Sequence, residues 1–171
     1  MNNNIRKLEK EYDLIESYEF YQAQVQGTNI NARTLLATDY LNHFNEIIML
    51  VEMISDMPEC IEDVAAWSPK NYQDHFRESS FAHRDLAVAA YDYVPALYRV
   101  PFERLISELN ILILKVVATV LDEQPADNKS ETGAAALLGP ELRMLIEKAG
   151  GVINGEHEGT DQTDIDAMLR F

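Results

Sequence analysis

The sequence predicts an all-α protein, a helical bundle of four to six helices with a flexible C-terminal tail. Three observations lead there. Apolar residues recur at the 3-4 spacing of one helix face, and no segment shows the alternation of a half-buried strand. Breaks at Asp56-Met57-Pro58, Ser68-Pro69 and Pro95 divide the helical stretches. Near the end the composition changes, with four of the seven glycines at positions 150, 151, 155 and 159 among polar residues. At 171 residues and 47% hydrophobic content the chain has the size of one domain plus a tail and can bury a core.

Taken in order, the first helix is expected over Asn4–Gln26, with Ile5, Leu8, Tyr12 and Ile15 on one face and Gly27 after its end. A stronger helix is expected over Asn31–Ser55, its stripe running through Leu36, Tyr40, Ile47, Leu50 and Ile54. Pro58 then opens a short helix through Ala66. The segment from Asn71 to Phe81 is dense in polar and aromatic groups, and reads equally as a binding loop or as a helix-capping connector with Arg77 paired locally. Arg84–Tyr93 follows as a helix, and Pro95 and Pro101 bracket a connector. From Pro101 to about Glu123 runs the most apolar helix, suited to the centre of a bundle or to a homodimer interface. A loop around Pro125 leads to a last helix broken at Gly139-Pro140 and capped at Gly150-Gly151. The expected organisation is a bundle over 1–149, a linker over 150–160 and an amphipathic peptide over 161–171.

Charge and cysteine usage exclude several functions. The 29 acidic against 14 basic residues leave a net charge of −15, which opposes binding to nucleic-acid phosphates and to anionic membrane surfaces. A single cysteine, Cys60, cannot form an intramolecular disulfide and fits a reducing compartment. The start, Met1 to Asn4, lacks the pattern of a signal peptide, and the apolar run Ile111 to Val120 is too short to span a bilayer. The expected location is therefore cytoplasmic. Hydrolase-elbow, phosphate-loop and dinucleotide motifs are absent, and the acidic surroundings of Cys60 disfavour a reactive thiolate.

The tail and the second helix carry the functional expectation. In a two-turn helix begun by Asp161 or Thr163, Ile165, Met168 and Leu169 share one side and Asp164 and Asp166 sit near its N-terminal end. A helix this short folds only on a partner. The run Asp161-Gln162-x-Asp164-Ile165-Asp166-x-Met168-Leu169-x-Phe171 resembles the C-terminal peptide with which chemotaxis phosphatases of the CheZ family grip a response regulator. It is similar, too, to the segment by which the flagellar switch protein FliM binds the same regulator. The resemblance covers about a dozen residues. It implies a bacterial signalling protein whose partner is a response-regulator receiver domain, gripped by Asp161, Gln162, Ile165, Asp166, Met168, Leu169 and Phe171. The alternatives are a disordered acidic tail, or a segment that packs on its own bundle.

On the second helix Asp39, Asn42 and Glu46 are expected on one side together with Leu35, Met49 and Met53, with His43 at the border. A solvated face rarely mixes apolar side chains with a tight polar cluster, so this side is expected to meet the partner. CheZ-type phosphatases present an acid and an amide, Asp-x-x-x-Gln, on a bundle helix, where the amide orients a water for attack on the aspartyl phosphate. This chain offers Asn42-x-x-x-Glu46 and Asp39-x-x-x-His43 instead. The resemblance implies a candidate catalytic set of Asp39, Asn42, His43 and Glu46, with no cofactor of its own and Mg2+ held by the receiver. The alternative for this stretch is a solvated face with His43 hydrogen-bonded at the core edge.

Two other classes compete. A metal-binding bundle would draw on Asp39, His43 and Glu46, and on Asp74, His75, Glu78, His83 and Asp85, though the di-iron Glu-x-x-His repeat and the His-Glu-x-x-His zinc motif are absent. A non-enzymatic interaction adaptor is the third reading.

Overall fold

The computed structural model describes residues 3–122 and 139–156. Within them the protein is an all-α assembly of seven α-helices, with no strand among the described residues. The helices are α1 (Asn3–Gln24), α2 (Asn42–Met53), α3 (Cys60–Ala66), α4 (Tyr72–Glu78), α5 (Arg84–Ala90), α6 (Ala96–Asp122) and α7 (Pro140–Ile153). Short 3-10 turns at Thr38–Leu41 and Tyr91–Tyr93 lead into α2 and out of α5. No described helix is long and apolar enough to cross a membrane.

The 27-residue α6 is the axis, about 40 Å long. Phe102, Leu105, Leu109, Ile113 and Val120 are buried on one side of it, against Leu142, Leu145 and Ala149 of α7 and Phe44, Ile47 and Val51 of α2. At one end of this core Tyr40, Tyr72, Phe76 and Phe102 pack edge-on and tilted, with ring centroids 4.7 to 5.9 Å apart. Tyr40 donates to the Lys70 carbonyl at 2.7 Å and Tyr72 accepts from the Ala37 amide at 2.9 Å, so both buried hydroxyls are satisfied.

Several sequence expectations need correction. The helix expected from Asn31 begins only at Asn42. The Asn31 carboxamide accepts from the Arg33 and Thr34 amides at 2.9 and 3.1 Å, offering the backbone a turn that competes with helix. Thr34 then accepts from Leu36 N–H and donates to the Ile153 carbonyl at 2.6 Å. Between them Leu35 takes a left-handed conformation, φ 59°, with its side chain wholly buried. Such a backbone costs about 1–2 kcal/mol in a non-glycine residue and persists because the leucine is held in the core. Leu35 is thus a core residue, and it is removed from the partner-facing set.

Helix α1 ends at Gln24, and among the described residues its first turns stand off the core, Leu8 65% and Tyr12 66% exposed, while Tyr18, Tyr21 and Val25 join it. Pro101 lies inside α6 instead of opening it. The helix starts after Pro95, whose carbonyl accepts from the Tyr98 and Arg99 amides, and Pro101 gives up the bond to Leu97 in mid-helix. The Asn71–Phe81 segment is α4 with its caps: Asn71 accepts from Asp74 N–H at 2.8 Å and Arg77 pairs with Asp74 at 2.6 Å.

The expected linker also begins later. Gly150 and Gly151 are helical, because α7 runs on to bury Ile153. Its end is a Schellman motif, with Gly155 N–H on Val152 O, Glu156 N–H on Gly151 O, and Gly155 at φ 91°. The remainder of the expected linker from 157 lies outside the described residues.

The left-handed Leu35 generates a test. Leu35→Ala should lower the unfolding free energy by about 3 kcal/mol, seen as a lower urea midpoint. A loss under about 1 kcal/mol would show that the turn does not depend on that side chain.

Candidate functional site

The start of α2 gathers most of the polar groups singled out by sequence, and distributes them over two depressions. The first, about 310 Å³, is lined by Thr38, Asp39, Leu41, Asn42, Asn45 and Ile146. The second, about 500 Å³, is lined among others by His43, Glu46, Asp63, Trp67 and Lys70. Asp39 is therefore grouped with the carboxamides Asn42 and Asn45, and His43 with Glu46.

The first depression owes its geometry to the delayed start of α2. Asp39 sits on the 3-10 turn, half-buried, about one turn ahead of the exposed Asn42 and two ahead of the exposed Asn45. An acid and two carboxamides lining one open hollow offer it both acceptors and donors. Thr38 and Asn45 were not singled out by the sequence. Asn45 was legible in principle, because it lies within i, i+3 of Asn42.

His43 belongs to the core edge. It is buried, its ring is stacked on Trp67 at 4.9 Å and 21°, and it lies 5.8 Å from the His75 ring. Trp67 Nε1–H donates to the His43 carbonyl at 3.3 Å. Among the described residues the His43 Nε2 atom has no hydrogen-bond partner. Burial, followed by the nearby His75 and Lys70, pushes the His43 imidazole down to about 4, so it is neutral near pH 7. His75 is also pushed down, by burial and then by Lys70, while the Asp39 backbone and carboxylate act in the opposite direction. The Ser68 backbone favours the charged form of His43 without offsetting burial.

Met49 is 52% exposed and Met53 half-buried, so both remain on the outer side of α2 beyond Asn42 and Glu46, while Leu35 does not. The tail residues Asp161, Gln162, Ile165, Asp166, Met168, Leu169 and Phe171 lie outside the described residues. Among the described residues no three His, Cys, Asp or Glu side chains converge as a metal site. Of the candidates for that reading, Asp74 is paired with Arg77 and Glu78 with Lys70 at 2.7 Å, and His83 stands at the N-cap of α5 beside Phe81.

Fold and site together define an all-α protein with an acid–amide surface at a helix start. Compared with known proteins, the chain matches no family model, no curated protein and no solved structure.

The buried imidazole sets a pH dependence. Its folded-state value lies below the ordinary 6.5, so as pH falls the unfolded chain takes the proton first. This contribution to stability is intact above about 6.5 and is lost progressively between 6.5 and 4. His43→Phe keeps a ring against Trp67 and removes the titration. Its urea midpoint should fall less between pH 7 and pH 4.5 than that of the wild type, and equal slopes would exclude His43 as a source of the effect.

Proposed function

We propose that this is a cytoplasmic bacterial signalling protein of chemotaxis type that binds a response-regulator receiver domain and accelerates loss of its aspartyl phosphate. The reading is supported chiefly by one observation: the Asp39 carboxylate and the Asn42 and Asn45 carboxamides share an open hollow at the start of α2. The tail's likeness to regulator-gripping peptides adds the second half, a tether that raises the local concentration of the receiver at that hollow.

In this mechanism Asn42 donates to and accepts from a water and aims it at the phosphorus, opposite the bond to the receiver's aspartate. The water oxygen forms the new P–O bond, the aspartyl P–O bond breaks, and inorganic phosphate and a free carboxylate result. Asp39 orients Asn42 and the water from the 3-10 turn. Among the described residues no basic side chain lines the hollow, and a Mg2+ held by the receiver would balance phosphoryl charge. Glu46, Met49 and Met53, on the adjoining surface of α2, form the contact rim. Positioning of this kind is sparse in residues because it supplies orientation and little covalent chemistry.

The test is a phosphate-release assay on phosphorylated receiver domains. Asn42→Ala should slow the accelerated release by about 100-fold, the cost of losing one positioning group, while binding measured by calorimetry persists. Removal of residues 161–171 should weaken binding and leave the rate at saturating protein unchanged. An unaltered rate for Asn42→Ala would exclude the hollow as the site, and absence of any receiver binding by the full chain would exclude the function.

A further inference from the structure

Helix α6 carries a second apolar stripe on the side away from the core. Val100, Ile111, Leu114, Ala118 and Leu121 are exposed, Ile111 at 52% and Leu114 at 45%, and Arg104 and Ser107 complete a 4-3 repeat from Val100 to Leu121. A sustained 4-3 repeat is the seam of a left-handed helix pair, since each such step keeps the apolar edge facing the partner. It runs about 31 Å along the helix.

The charges beside the seam say what covers it. Glu108, Lys115 and Asp122 lie along one edge of it and Arg104 stands within it, alternating in sign along the helix, all exposed. When a second copy of α6 is laid antiparallel so that Ile111 meets Leu114 of the other, Glu108 comes beside the other copy's Lys115 and Arg104 beside its Asp122. A two-fold axis repeats each pair, giving four opposite-charge contacts. Laid parallel, the same seam would set Arg104 against Arg104 within it and part the Glu108–Lys115 edges to opposite sides. Within one chain Arg104 and Glu108 reach each other only at 3.7 Å, a weak exposed pair that is free to re-pair.

We propose that the protein forms an antiparallel homodimer through the outer face of α6, with Ile111 and Leu114 at its centre and Glu108–Lys115 and Arg104–Asp122 pairs along its edges. This inference stands independently of the receiver reading. The α2 hollow belongs to another surface, so a dimer would present two hollows.

Sedimentation of the full chain over a concentration series tests it. The expected result is a monomer–dimer equilibrium that Ile111→Gln/Leu114→Gln weakens at least 100-fold, with helix content unchanged. Glu108→Lys and Lys115→Glu should each weaken the dimer, and mixing the two variants should restore it, because every contact in the mixed pair is again of opposite sign. Orientation is read from nitroxides placed by Val100→Cys in a Cys60→Ser background: about 35–40 Å apart in the antiparallel dimer. A separation near 10 Å would overturn the orientation. A monomer at all concentrations, including one whose stripe is shielded by residues 123–138, would overturn the proposal, as would a dimer indifferent to Ile111 and Leu114.

Discussion

The structure depends on one buried hydroxyl. Thr34 donates to the Ile153 carbonyl and accepts from the Leu36 amide, with no exposure to water. That pair of bonds joins the last turn of α7 to the turn that precedes α2, 119 residues away in the chain. It satisfies a helix-end carbonyl that the core would otherwise leave without a partner, and it fixes the reversal in which Leu35 is left-handed. A buried polar pair of this kind is costly to half-break, so the turn and the end of α7 are held together.

Everything at the candidate site follows from where that turn releases the chain. The Ile30–Ala37 bridge and the 3-10 turn absorb Thr38–Leu41, and regular helix starts at Asn42. Had the helix run from Asn31, Leu35 would have shared a surface with Met49. As built, Leu35 anchors the core, Tyr40 meets the aromatic cluster, and Asp39 is left at the edge of a hollow beside Asn42 and Asn45. His43 is turned the other way, against Trp67, where burial keeps it neutral. The acid–amide group and the imidazole thus occupy separate environments although they are only a few residues apart.

Much of the fold was legible because helical periodicity is a local signal. The apolar side of α6, the inward placing of Tyr40 and Ile47, and the short helix ending at Ala66 all appear where spacing places them. What spacing missed was decided by polar side chains acting on the backbone. Asn31 and Thr34 made a turn inside an otherwise periodic stretch, and only their short-side-chain chemistry marks it. Gly150 and Gly151 read as a helix end by type, yet Gly155 took that role because burial of Ile153 extended the helix. Pro101 read as a helix start, but Pro95 already supplied one. At the site, Asp39, Asn42, His43 and Glu46 were legible as a cluster. Their division between two depressions was not, because Trp67 and Lys70 come from a connector distant in sequence. The apolar character of α6 was legible, but its outer stripe through Ile111 and Leu114 was not, and only packing against α7 and α2 shows it.

The most direct measurement is a nuclear magnetic resonance titration of the isotope-labelled full chain with an unlabelled receiver domain carrying a beryllofluoride mimic of its phosphate. Two groups of shifted amides are expected, one within Thr38–Glu46 and one within residues 161–171, with the first appearing only when the mimic is present. Shifts confined to the tail, or shifts that leave Asn42 and Asn45 unmoved, would contradict the placing of a phosphoryl-directed surface at the start of α2.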